Sequence, residues 1–321
     1  LQRDLIVASG KLSDVMWSRD DAAGALTFSE QTVTQSRRLA AQDPADRSFR
    51  YFQATSLLDH GYKLFKIRGD LAGAEAEMRE SIAMLESLHA ADPSDPHTAR
   101  TLTLGYSRVG ELFEYRHYDP IALVQYVKEL RLVQTLTRAS PKNVDLAHLQ
   151  AFAEQDLAGV LTDMGRLDEA EQHGRTALAS FRSLSVSDPR IAEYHWDEGR
   201  ALSSIGYLAG RRHEPQRSIA LLQQALAAMN AASQDQGSDA NLLFIRAHAE
   251  TLLGDQYAAL ASSAGATGAS ASRLENWRAA KASYERALTA YRTLSASWFE
   301  ARAEAQSIVE KLRQCDGALS V

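Results

Sequence analysis

His248-Ala249-Glu250 has the spacing of a zinc-bound histidine and a proton-shuttling glutamate, a pair that would activate water for hydrolysis. That chemistry also needs a Pro-Cys-x2-Cys ligand pair, and the chain has a single cysteine, Cys315, with no base placed to activate it. The nine histidines are scattered rather than set at metal-ligand spacing. Glu75 with Glu77, and Asp197 with Glu198, could be imagined as acid and base. Carboxylates so close in sequence point in different directions on a helix, which suits a solvated face. Gly265-Ala266-Thr267-Gly268 is too short to cradle a phosphate. The sequence therefore predicts no catalytic residue, no metal and no cofactor within this chain.

Binding chemistry is better supplied. Tyr62, Lys66, Tyr106, Glu111, Gln155, Arg200, Tyr207, Arg211 and His248 fall near the concave face expected from the first helices of a repeated hairpin, outside the positions that pack it. Tyr and Arg are enriched where binding energy concentrates, and Lys66, Arg200 and Arg211 suit an acidic peptide or a C-terminal carboxylate. The expected partner is a protein or peptide. Trp17, Trp196, Trp277 and Trp298 are read as hairpin packing rather than ligand stacking.

The elements that must position these side chains repeat. Asp43-Pro44, Asp92-Pro93, Ser140-Pro141 and Asp188-Pro189 recur at steps of 49, 48 and 48 residues. Such a period marks a solenoid, in which each unit contacts mainly its neighbours. Aligned on this punctuation, Ala25, Ala74, Ala122, Ala170, Ser218 and Ala280 form one small column. Val33, Ile82, Leu130, Leu178, Leu226 and Leu288 follow it, and then Leu39, Leu88, Leu136, Leu184, Ala232 and Leu294. The offsets of eight and six fall on one helical face, with Met78, Tyr126, Leu222 and Tyr284 between them. A small residue in the first column lets the two helices of a hairpin approach closely. Asp70, Asp119 and Asp168 stand where helices begin, Gly69 and Gly165 where they end, and proline stops the second helix of most units.

These patterns predict an all-α, right-handed superhelical solenoid of about six antiparallel hairpins over 1–44, 45–93, 94–141, 142–189, 190–237 and 238–296. A terminal cap is expected over 297–321, and an insertion of 14 residues forms a loop near 262–275. The 41 acids and 35 bases leave a formal charge of −6, well mixed and without a basic run, so nucleic acid is not an expected partner. No apolar run approaches the roughly 18 residues of a spanning helix, so direct membrane insertion is not expected; the expectation is a soluble module, cytoplasmic by default, with the extracytoplasmic part of a membrane-anchored bacterial protein as the alternative.

Leu157-Ala158-x2-Leu161-x3-Gly165-x4-Ala170-x6-Ala177-Leu178 resembles the tetratricopeptide repeat, and Ala280-x3-Tyr284-x2-Ala287-Leu288 repeats its second half. The period is longer than that family's usual 34, and the extra residues lengthen both helices. Leu1-Gln2-Arg3-Asp4-Leu5 ahead of Lys11-Leu12-Ser13-Asp14-Val15, Gly69-Asp70-Leu71-Ala72-Gly73-Ala74 with Leu88-His89-Ala90-Ala91-Asp92-Pro93, and Gln314-Cys315-Asp316-Gly317-Ala318-Leu319 look like the long-repeat C-terminal regions of bacterial serine/threonine protein kinases. That resemblance implies a non-catalytic sensor, regulatory or docking arm; a dimer formed through the solenoid is a separate expectation. Any kinase chemistry would lie outside residues 1–321, which carry no Gly-rich phosphate loop, no His-Arg-Asp and no Asp-Phe-Gly. A stand-alone adaptor and a small-molecule or signal-peptide sensor are the alternatives.

Overall fold

The computed structural model describes residues 2–19, 21–232, 240–264 and 270–320. Among them the chain is all-α and of the repeat-solenoid class. Its helices are α1 (Gln2–Ser18), α2 (Ala22–Gln42), α3 (Arg47–Lys63), α4 (Leu71–Ala91), α5 (Pro96–Tyr115), α6 (Asp119–Ala139), α7 (Val144–Asp163), α8 (Leu167–Ser187), α9 (Ala192–Arg211), α10 (Pro215–Ala232), α11 (Ala240–Ala264), α12 (Ser270–Leu294) and α13 (Phe299–Leu319). A π-helical turn, Leu64–Arg68, extends α3. None of the described helices is long and apolar enough to cross a membrane.

The chain packs as two compact units, one of Leu1–Asp156 with Ser297–Glu300 and the other of Leu157–Ala296 with Ala301–Val321. In the first, α1 packs on α2, α3 on α4 and α5 on α6; in the second, α9 packs on α10 and α11 on α12.

The small column explains the hairpins. Ala25, Ala74, Ala122, Ala170, Ser218 and Ala280 are all completely buried. Serine hydroxyls clasp several hairpins across this close approach: Ser13 donates to the Ala25 carbonyl at 2.7 Å, Ser81 to Ala54 at 2.6 Å and Ser218 to Gly206 at 2.6 Å. Four residues after the small column, Met78, Tyr126, Leu222 and Tyr284 are buried. Each faces a glycine on the first helix of its own hairpin, namely Gly61, Gly110, Gly206 and Gly254. Where the second helix has Gly174 instead, the first helix supplies Ala158, whose Cβ lies 3.6 Å from where a Cβ on Gly174 would be. A bulky residue is thus matched to a notch, which keeps the interior close-packed while side-chain sizes vary.

A second period closes the first helices. Gly69, His117, Gly165 and His213 adopt left-handed backbone, with φ of 70°, 57°, 74° and 60°. They stand 48 residues apart. The positive φ turns the chain into the next helix and offers backbone N–H groups to the last free carbonyls, as in Asp70 N to Leu64 O at 3.1 Å and Tyr118 N to Phe113 O at 2.8 Å. Glycine takes this conformation without a Cβ penalty, and histidine is among the polar residues that tolerate it.

Several boundaries differ from the sequence expectation. Asp70 caps α4 by accepting from Gly73 N at 3.0 Å, but Asp119 is the first residue of α6 and Asp168 the second of α8, so they act through the helix dipole rather than as caps. The loop expected over 262–275 is narrower, because α11 continues to Ala264 and α12 begins at Ser270; residues 265–269 lie outside the described residues. In α13, Ala301, Ile308 and Cys315 form a fully buried seam seven residues apart. Lys311 on α13 pairs with Asp255 at 2.6 Å, and Lys281 with Asp316 at 2.6 Å. Ser297–Glu300, just ahead of this seam, belong to the N-terminal unit.

Candidate functional site

A period of about 48 puts equivalent positions of successive first helices side by side, and several of those positions are joined by polar bonds. Lys63 Nζ donates to Asp14 at 3.0 Å, Tyr62 Oη to Glu111 at 3.0 Å and Ser107 Oγ to Asp156 at 2.9 Å, each spanning 49 residues. Within the N-terminal unit these bonds bind α1 to α3, α3 to α5, and α5 to α7 at Asp156.

The ladder is densest around the π-helical turn. Widening the helix there accompanies burial of Leu64, Phe65, Lys66 and Ile67 together. Lys66 Nζ lies 2.5 Å from Glu111 Oε1 and 2.7 Å from Glu300 Oε2. It also faces the rings of Phe65 at 4.8 Å and Tyr62 at 5.6 Å. Burial pulls the ammonium towards neutrality, but Glu111, Tyr62 and Glu300 outweigh it and hold Lys66 well above the usual lysine range. Burial and the Glu111 carboxylate raise the Tyr62 phenol, so it stays protonated as the donor. Arg108 lies over the other side of this cluster, its guanidinium 4.4 Å from the Tyr62 ring centre. Lys63, completely buried, pairs with Asp14 and Asp59 and faces the Trp17 ring at 5.3 Å.

Three residues from far along the chain complete the cluster. Trp298 meets Trp17 edge-on at 6.0 Å, and Trp17 meets Tyr62 at 5.8 Å. Phe299 meets Tyr115 edge-on at 5.9 Å, and Tyr115 meets Phe65 at 5.3 Å. The Phe299 ring also lies against Gly69, where a Cβ would fall 2.6 Å from it. Trp298 and Glu300 are 4% and 7% exposed, so this is an interior contact.

In the C-terminal unit, Tyr207 Oη donates to Asp163 at 2.6 Å and accepts from Arg211 at 3.0 Å. Burial, then the bond to Asp163, pushes the Tyr207 phenol up to about 12. Arg211 also lies 3.6 Å from Asp163.

The structure brings Tyr62, Lys66 and Glu111 together and, separately, Tyr207 and Arg211. Of the remaining candidates, His248 lies near enough to Asp163 to feel its charge, whereas Tyr106, Gln155 and Arg200 have other surroundings. Tyr106 donates to Glu86 on α4 at 2.8 Å and Gln155 is buried. Arg200 stands 4.0 Å from Asp197, and His248 sits among Glu304, Asp255, Lys311 and Asp163, where desolvation lowers its imidazole below the usual histidine range. The three cations read as receivers for an acidic ligand all have acidic neighbours in the chain already. Asp14, Lys63, Arg108, Tyr115 and Asp163 were missed, although stepping along the period from Lys66 leads through Tyr115 and Asp163 to Arg211. Trp196 packs a hairpin with Met229 and Ala232 as expected, whereas Trp17 and Trp298 join the cluster. No sequence signal pairs Glu300 with Lys66, because they are 234 residues apart and lie outside the repeat register.

The tetratricopeptide repeat profile matches residues 155–189. No curated protein matches the chain. Among solved structures, the apo form of RapI superposes with a TM-score of 0.55 at 12% identity, over 98% of this chain and 97% of its own. BtubC (BKLC) from P. vanneervenii superposes with a TM-score of 0.54 at 19% identity, over 84% of this chain and 91% of its own. At these identities the likeness establishes the helical-repeat fold.

Proposed function

We propose that the chain is a non-catalytic protein- or peptide-binding scaffold, with the first-helix face of its N-terminal unit as a contact surface. The observation carrying this reading is the buried Lys66, which faces the Tyr62 and Phe65 rings, themselves packed on Trp17 and Tyr115, and which pairs with carboxylates brought to it from two other helices. A desolvated cation among aromatic rings suits anchoring of an acidic, aromatic segment. Scaffolds of stacked helical repeats offer long surfaces for such contacts. The test presents a random peptide library to the folded chain and maps retained peptides by hydrogen exchange. Protection of α1, α3 and α5 is expected; no retained peptide, or protection confined to second helices, contradicts the reading.

The finer reading is that this scaffold is the C-terminal regulatory region of a bacterial serine/threonine kinase. It is supported by the sequence resemblance quoted above. Capture of a ligand would then alter the position or pairing of the attached catalytic domain. Autophosphorylation of the full-length protein with and without residues 1–321 tests this: altered activity is expected, and the absence of any kinase sequence ahead of Leu1 rejects it.

A further inference from the structure

We propose that Trp298-Phe299-Glu300 is an internal pseudo-ligand: the first-helix face of the N-terminal unit recognises segments in which two aromatic residues precede a carboxylate, and the chain's own segment competes with such a partner. The inference rests on the scaffold reading and names the ligand class that the face takes.

Three features distinguish this contact from ordinary capping. A cap needs apolar cover, yet this segment buries a glutamate, which is costly unless a cation is already in place to receive it. The face supplies that cation in Lys66, on a π-helical turn, a local distortion that occurs frequently at functional sites. The two aromatic residues have separate seats, Trp298 against Trp17 and Phe299 against Tyr115 over the bare backbone of Gly69. That arrangement reads side-chain type at consecutive positions, as a peptide site does.

Three groups of the face keep partners when the segment leaves. Lys66 keeps Glu111, Tyr62 keeps its bond to Glu111, and Trp17 keeps Tyr62 and the Lys63 ammonium. Departure therefore orphans none of these groups, while Glu300 regains water. A tethered segment competes at an effective concentration of about millimolar, so an external peptide of the same class must bind better or be abundant.

The experiment uses a fluorescein-labelled peptide matching residues 295–304, Ser-Ala-Ser-Trp-Phe-Glu-Ala-Arg-Ala-Glu, titrated by anisotropy against the full chain. Against a chain carrying Trp298→Ala, Phe299→Ala and Glu300→Ala, binding at least tenfold tighter than to the wild type is expected. A peptide with glutamine at the position of Glu300 should lose most of that gain. Equal binding to both chains, or none to the emptied one, overturns the inference. If the triple variant loses its helical circular dichroism, Glu300→Gln alone serves: it keeps the side-chain shape, removes the charge and should strengthen peptide binding relative to wild type, whereas unchanged binding overturns the inference. Library peptides that bind wild-type and emptied chains equally through α1, α3 and α5 would reject the pseudo-ligand and leave the scaffold reading standing.

Discussion

Gly110 on α5 and Tyr126 on α6 meet so closely that a Cβ on the glycine would lie 2.3 Å from the tyrosine Cε1. The same relation joins Gly254 to Tyr284, at 2.5 Å, in the C-terminal unit. Overpacking a tight core costs about 1–3 kcal/mol. Gly110→Ala should therefore lower the urea midpoint, and Tyr126→Leu should cost less in its presence than alone. A double-mutant cycle from urea melts checks this; additive losses would show that the two residues do not share the space.

The left-handed residues allow a comparison in which little else changes. Left-handed backbone costs a non-glycine residue roughly 1–2 kcal/mol. His117→Gly and His213→Gly should stabilise the chain by up to that amount. Gly165→Ala should destabilise it through conformation alone, since nothing lies within 4 Å of a Cβ there. Gly69→Ala should cost more, because it also displaces the Phe299 ring. Chemical denaturation orders the four, and a Gly69→Ala loss equal to that of Gly165→Ala would contradict the Phe299 contact.

Glu129 supplies a pH dependence. Its side chain is buried, and burial, followed by the charge of Asp156, holds its carboxyl well above the usual range. The folded chain thus favours the neutral acid. Its stabilising contribution is complete below the unfolded pKa of about 4.3 and is lost as pH rises through the folded value. Glu129→Gln should raise the Tm at neutral pH and flatten the decline above pH ~4.3. Thermal melts from pH 4 to 8 decide it; a variant curve parallel to wild type would exclude Glu129 as the source.

Lys66→Ala leaves Glu111 and Glu300 facing each other without the cation between them. Removing one partner of a buried ion pair costs about 3–5 kcal/mol. Glu300→Gln should cost less, because Lys66 retains Glu111. Urea melts of the two variants should rank in that order, and equal losses would mean that Lys66 does not bridge the two carboxylates.

The hairpins were legible because a packing requirement recurs at fixed spacing, and the small column at Ala25, Ala74, Ala122, Ala170, Ser218 and Ala280 is completely buried. Part of the site was legible for the same reason, since Tyr62, Glu111 and Tyr207 occupy equivalent first-helix positions. His117 and His213 hid the period of left-handed turns, because glycine was the residue sought. The π-helical turn and the docking of Trp298, Phe299 and Glu300 carry no periodic trace. They arise from tertiary contacts that a column-by-column reading does not contain.

The most direct test of the account follows hydrogen exchange of the wild-type chain on adding excess peptide 295–304. The expected result is reciprocal: amides around Tyr62–Lys66 stay protected while those at residues 297–300 exchange faster, as the bound peptide replaces the internal segment. Unchanged exchange at 297–300, with peptide bound elsewhere or not at all, would contradict a ligand face held by its own chain.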